Sequence, residues 1–191
     1  MCTKASRGVT LIELVLFIVI VGIGMAAVFA AFNTMTAGSA SPQVRKQALA
    51  IAESMMEEVT LMPFTWCDPD DPAAATATLI GDCTTTNEDN IGPETGETRY
   101  SPTTPFDNVN DYHGFTMLSG INDITNNPIS GLGDYKLTDI TVSQVAFGPG
   151  AEAISAGSKD ALMISITVTG PAGVSITLEG YRTRYAPTTL P

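Results

Sequence analysis

The run VTLIELVLFIVIVGIGMAAVFAAF, from Val9 to Phe32, carries a single charge, Glu13, and no other stretch constrains the architecture as tightly. As a helix, its 24 residues reach about 36 Å, more than the roughly 30 Å of a bilayer's hydrocarbon core. That length and composition predict a membrane-spanning helix. A secretory signal peptide has a shorter apolar stretch, followed by a small-residue cleavage site. Here the small residue, Gly8, comes before the run and directly after the basic leader MCTKASR. Cys2 is no lipoprotein cysteine, because no apolar segment precedes it. Lys4 and Arg7 favour a cytoplasmic N-terminus with the remainder exported, a bias that Arg45 and Lys46 on the far side weaken.

Glu13 is the anomaly inside this run. An ionisable side chain costs about 2.5–3.5 kcal/mol at the centre of a spanning helix, and less near an end. Two readings stay open from the residue alone. The carboxylate snorkels to the membrane boundary, or it is placed to meet a cationic partner. Gly22 and Gly24, further along, permit close helix approach and also lower local helix stability, so packing and local melting are both open.

Beyond the run the chain is polar and reads as a modest α+β domain. Gly38, Ser39, Ser41 and Pro42 predict a kink or short break in the helix. From Gln43 to Met62, Val44, Ala48, Ile51, Met55, Val59 and Met62 recur at helical spacing, and Pro63 ends the pattern. The Met residues fit ordinary core packing against a sheet better than an adaptable groove. Between Phe64 and Asn127 periodicity is lost, and acidic, turn-rich strings such as CDPDDP and GDCTTTNEDN take over. Their clustered Asp and Asn invite a calcium reading. No EF-hand spacing is present, however, and solvated loops with Asx turns are expected instead, with no metal and no cofactor. Leu162, Ile164, Ile166 and Val168 alternate with polar residues, Gly170-Pro171-Ala172-Gly173 marks a turn, and Val174, Ile176 and Leu178 resume the pattern. Leu162 to Tyr185 is therefore expected as an antiparallel hairpin, with Tyr135 to Phe147 as a third strand.

Charge and cysteines narrow the function. A net charge of −11 argues against nucleic-acid binding, which needs clustered Lys and Arg to displace counterions. Cys67 and Cys83 lie in a loop-like, Pro- and Thr-rich segment, and such a pair fits a disulfide if the domain sits outside the cytoplasm. With no CxxC and one histidine, His113, a zinc site lacks ligands. His113 lies in an acidic, Gly-containing loop with no GxSxG elbow anywhere in the chain, which suits loop packing and not a catalytic triad. Glu57 and Glu58 are adjacent on a helix, so they point in different directions and are poorly placed for acid–base work. No phosphate-binding loop is present, and the chain reads as a non-enzyme.

The string Gly8-Val9-Thr10-Leu11-Ile12-Glu13-Leu14, between a short basic leader and an unbroken apolar run, resembles the type IV prepilin cleavage motif. The resemblance implies that a prepilin peptidase cuts between Gly8 and Val9 and methylates the new amine of Val9. Val9 departs from the Phe that this family most often carries first. Glu13 becomes the fifth residue of the mature chain, and its carboxylate can neutralise the Val9 amine of its own or a neighbouring subunit. The strings ALAIAESMMEEVTLMPFTWCDPDD and FDNVNDYHGF resemble D-type minor pilins of the mannose-sensitive haemagglutinin pilus, so that likeness covers roughly the first 115 residues. The fold it implies is type IV pilin-like, a long N-terminal helix packed on a C-terminal antiparallel sheet. The domain organisation would be a removed leader (1–8), a transmembrane and filament-core helix (9–37), an amphipathic second half (43–62) and an extracytoplasmic head (63–191). In that head, acidic loops (64–127) precede the sheet (135–185). Expected partners are the peptidase, other major and minor pilins, the inner-membrane assembly machinery and, before assembly, membrane lipid. The chain would sit in the inner membrane as a single-pass protein, then in a surface pilus. A minor pseudopilin of a type II secretion system has the same N-terminal physics, and an adhesin module at a pilus tip is a further alternative.

Overall fold

The computed structural model describes residues 8–184, without the side chains of 34–41 and 152; the leader up to Arg7, with Cys2 and Lys4, and the chain from Tyr185 lie outside the described residues. One helix, α1, runs from Leu11 to Leu61. The chain divides into two compact units, Met1–Gln43 and Val44–Pro191.

In the first unit, α1 supplies the apolar span Leu11–Asn33, none of it buried within the protein. Leu11, Phe17, Ile20 and Phe29 are all exposed. Keeping apolar surface in water costs about 25 cal/mol per Å² relative to burying it, so a span this bare is suited to apolar surroundings. The expected break at Gly38–Pro42 is absent, because α1 is helical straight through Pro42. A proline inside a helix removes one hydrogen bond and crowds the preceding turn, which bends the helix without ending it if flanking turns are held. The following turns are held by core packing.

The second unit is an α+β domain. Ala48, Ile51, Ala52, Met55 and Val59 of α1 are buried in a core shared with Leu137, Ile140, Val142, Leu162, Ile164, Ile166 and Val168 of the sheet. These helical positions follow the sequence stripe, with Ala52 added; Val44 and Met62 pack at its partly buried margin. Strands β1 (Lys136–Gln144), β2 (Ala161–Thr169) and β3 (Ser175–Thr183) form an antiparallel sheet in the order β1-β2-β3. Ile166 sits opposite Ile140 on one side and Leu178 on the other, so the apolar faces of all three strands are in register. The Gly170–Gly173 turn holds Ala172 at a left-handed φ of 57°. Gly170 itself is closely overlaid, since a Cβ there would lie 2.9 Å from the Tyr135 ring and 3.0 Å from Val44.

The outer edge of β1 is covered. Met117 exchanges backbone hydrogen bonds with Leu137, Gly114 donates to Ile140, and Val142 donates its N–H to His113 Nδ1 at 3.1 Å. His113 therefore packs a loop onto a strand, and edge protection of this kind blocks pairing with stray chains.

Candidate functional site

The start of α1 is built by four residues. Thr10 stands at the N-cap and Glu13 three residues on, the arrangement in which two side chains satisfy two orphan backbone N–H groups reciprocally. The Glu13 N–H donates to Thr10 Oγ1 at 3.4 Å, and Glu13 Oε2 accepts from the Thr10 N–H at 3.4 Å and the Thr10 hydroxyl at 3.5 Å. These contacts are long, and the residues are exposed. The carboxylate is therefore folded back toward the chain entering the helix, where the helix N-terminus also favours negative charge. Glu13 is the acidic residue of the first turn. Val9, immediately before Thr10, is 73% exposed, and a Cβ on Gly8 would meet nothing within 4 Å. The Gly8–Val9 peptide is therefore exposed. The Thr-x-x-Glu spacing of this cap is legible in the sequence.

The expected pair of Cys67 and Cys83 is joined, with Cα atoms 5.4 Å apart. Cys67 is fully buried, and the bridge closes the first acidic loop. Asp71 organises the interior of that loop. Its carboxylate accepts from the N–H groups of Ala73, Thr84 and Thr85 at 2.8, 2.9 and 2.6 Å, and from both threonine hydroxyls at 2.7 and 2.8 Å. Burial alone would push its carboxyl up, but this set of donors to the charged form holds it well below the usual carboxylate range.

Elsewhere the acidic segment departs from the expectation of solvated loops. Asx turns are present, as at Asp68 and Asp123. Asp71, Glu88, Arg99, Asn108, Asn110 and Asp111 are nonetheless buried. Arg99 makes a two-pronged ion pair with Glu58 of α1 at 2.6 and 2.7 Å, and the Tyr112 hydroxyl donates to Glu58 at 3.0 Å. Glu57, its neighbour, is exposed, so the two glutamates do point apart. Asn108 caps a short helical turn, Val109–Tyr112, and donates to Thr65 at 2.8 Å. Sequence periodicity could not reveal this interior, because it is held by polar side chains reaching between distant turns.

Residues 3–29 match the prokaryotic N-terminal methylation motif. No curated protein and no solved structure matches the chain. The motif match supports a type IV prepilin-like chain, a pilin-like or pseudopilin subunit, and with the apolar helix it supports membrane anchoring.

Proposed function

We propose that the chain is a structural minor pilin, processed at its N-terminus and built into a type IV filament through α1. The observation that carries this reading is the coincidence of a methylation motif over residues 3–29 with an apolar span, Leu11–Asn33, that the protein itself leaves bare. A prepilin peptidase cuts between Gly8 and Val9 and methylates Val9. Once cut, the Val9 amine lies one residue from Thr10, whose N–H and hydroxyl already meet Glu13 Oε2. The Glu13 carboxylate is thus within reach of that amine or of one presented by an adjacent subunit. A buried charge is tolerable in an apolar interface only when paired, so the pair sets an axial register between packed helices. Lipid covers the span before assembly, and neighbouring major and minor pilins cover it afterwards, with assembly machinery moving the chain from inner membrane to surface.

The strings Ala48–Asp71 and Phe106–Phe115 favour a pilus of the mannose-sensitive haemagglutinin type, where the subunit primes or joins the filament and supports surface attachment. The role is structural and non-enzymatic. A pseudopilin of a type II secretion system shares the motif, and sheared surface filaments separate the two. The chain should be found in purified filaments by peptide mass spectrometry. Its restriction to the cell envelope of piliated cells would overturn the pilin reading.

A further inference from the structure

Three carboxylates in the head meet without an ion pair among the described residues. Glu88, Glu94 and Asp111 each bring an oxygen within 4.8 Å of the other two. Each also keeps one buried oxygen with no hydrogen-bond partner: Glu88 Oε1, Glu94 Oε2 and Asp111 Oδ1. Asp111 is fully buried and Glu88 is 9% exposed, so water does not serve these atoms freely. Among the described residues no ion pair reaches any of the three. Arg184, whose charge is felt at Glu88, donates to the carbonyls of Phe64 and Lys159 instead.

The second oxygens of Asp111 and Glu88 are tied down. Asp111 Oδ2 accepts from the N–H groups of Asp107 and Asn108 at 3.0 and 2.7 Å. Glu88 Oε2 accepts from the Asn110 amide at 2.6 Å, and that same amide donates to the Asn90 carbonyl at 2.9 Å. The Gly92 N–H in turn donates to the Asn110 carbonyl at 3.2 Å, with Gly92 at a φ of 114°. Asn110 therefore pins the loop that carries Glu88 and Glu94 against the turn that carries Asp111. The three unpartnered atoms at this junction are all oxygen.

We propose that Glu88, Glu94 and Asp111 form a binding site for one calcium ion. An all-oxygen donor set suits a hard cation and excludes soft metals. Coordination flexibility and the cost of dehydration favour calcium over magnesium at a site that removes water. Calcium accepts about six to eight oxygens in flexible geometry at about 2.4 Å, whereas magnesium demands near-ideal octahedral geometry at about 2.1 Å and sheds its waters reluctantly. Linear spacing conceals the site, since two ligands come from one loop and the third from a turn beyond it.

The test uses the full chain in detergent micelles, stripped with EDTA and desalted. Equilibrium dialysis against CaCl2 should find one ion per chain, and thermal unfolding should shift upward by several degrees, saturably, with MgCl2 giving a much smaller shift. Glu88→Gln and the more exposed Glu94→Gln should each weaken calcium binding at least tenfold, while Asp139→Asn on β1 leaves it unchanged. No stoichiometric binding by the wild-type chain, or full binding retained in folded Glu94→Gln and Glu88→Gln, would overturn the site. If both variants fail to fold, the wild-type stoichiometry and its preference over magnesium decide the matter, equal shifts with both salts counting against it.

Discussion

Two carboxylates show how a single side chain can be decisive, and for opposite reasons. Glu13 lies in an apolar helix and does its local work as a cap, a task glutamine also performs at that position. Glu13→Gln therefore keeps the cap and removes only the charge, which isolates pairing with the Val9 amine. The expected outcome is normal cleavage after Gly8, membrane levels equal to wild type, and little or none of the variant in sheared filaments. An unpaired amine in an apolar interface costs several kcal/mol, by the measure of broken buried pairs. Wild-type incorporation of the variant would leave Glu13 as a boundary residue that snorkels. Asp71 lies in a loop and works only when ionised. Its folded carboxyl titrates below the ordinary range, so its contribution to stability is whole above the unfolded value of about 3.9 and is lost as pH falls through it toward the folded value. Urea midpoints between pH 6 and pH 3 should fall more steeply for the wild-type chain than for Asp71→Asn. Parallel curves would mean the carboxylate is not acting through its charge.

At the level of elements, apolar periodicity carried most of the information, and it failed wherever polar groups do the packing. The alternation at Leu162–Val168 and the stripe at Ala48–Val59 report burial directly, since each position that repeats is one the core takes up. The strand order was less visible: alternation marks a buried face but not which strand is central, and β2 takes that place through pairs to both neighbours. Of the kink or short break that Pro42 predicts, the break is absent, because α1 is held on its C-terminal side by the core. The cap at Thr10–Glu13 was readable; Glu58–Arg99, separated by 41 positions, was not. The disulfide replaces apolar packing in the first acidic loop. Closing a loop of about 15 residues stabilises by roughly 3 kcal/mol on the chain-entropy model. The double variant Cys67→Ser, Cys83→Ser should lower the urea stability of the chain by about that much, and native protein should resist thiol alkylation until reduced. Ready alkylation of both thiols without reductant would contradict the bridge.

On the scale of the whole molecule, the two units divide the tasks. Met1–Gln43 contains the motif match and the bare apolar span, and Val44–Pro191 contains a self-sufficient core of helix and sheet. A chain arranged this way buries its polar head's interior alone and leaves its N-terminal helix to be buried by something else. In the proposed life cycle that cover is first lipid and then other subunits, and removal of the basic leader marks the passage between them. Loss of Lys4 and Arg7 takes away the charges that hold the N-terminus on the cytoplasmic side. Every later step depends on that cut, so the most direct measurement is the intact mass of the protein purified from cells that possess the peptidase. The expected mass is that of a chain beginning at Val9 with one added methyl group and two fewer hydrogens for the Cys67–Cys83 bridge. A chain still beginning at Met1, recovered from such cells, would contradict the account.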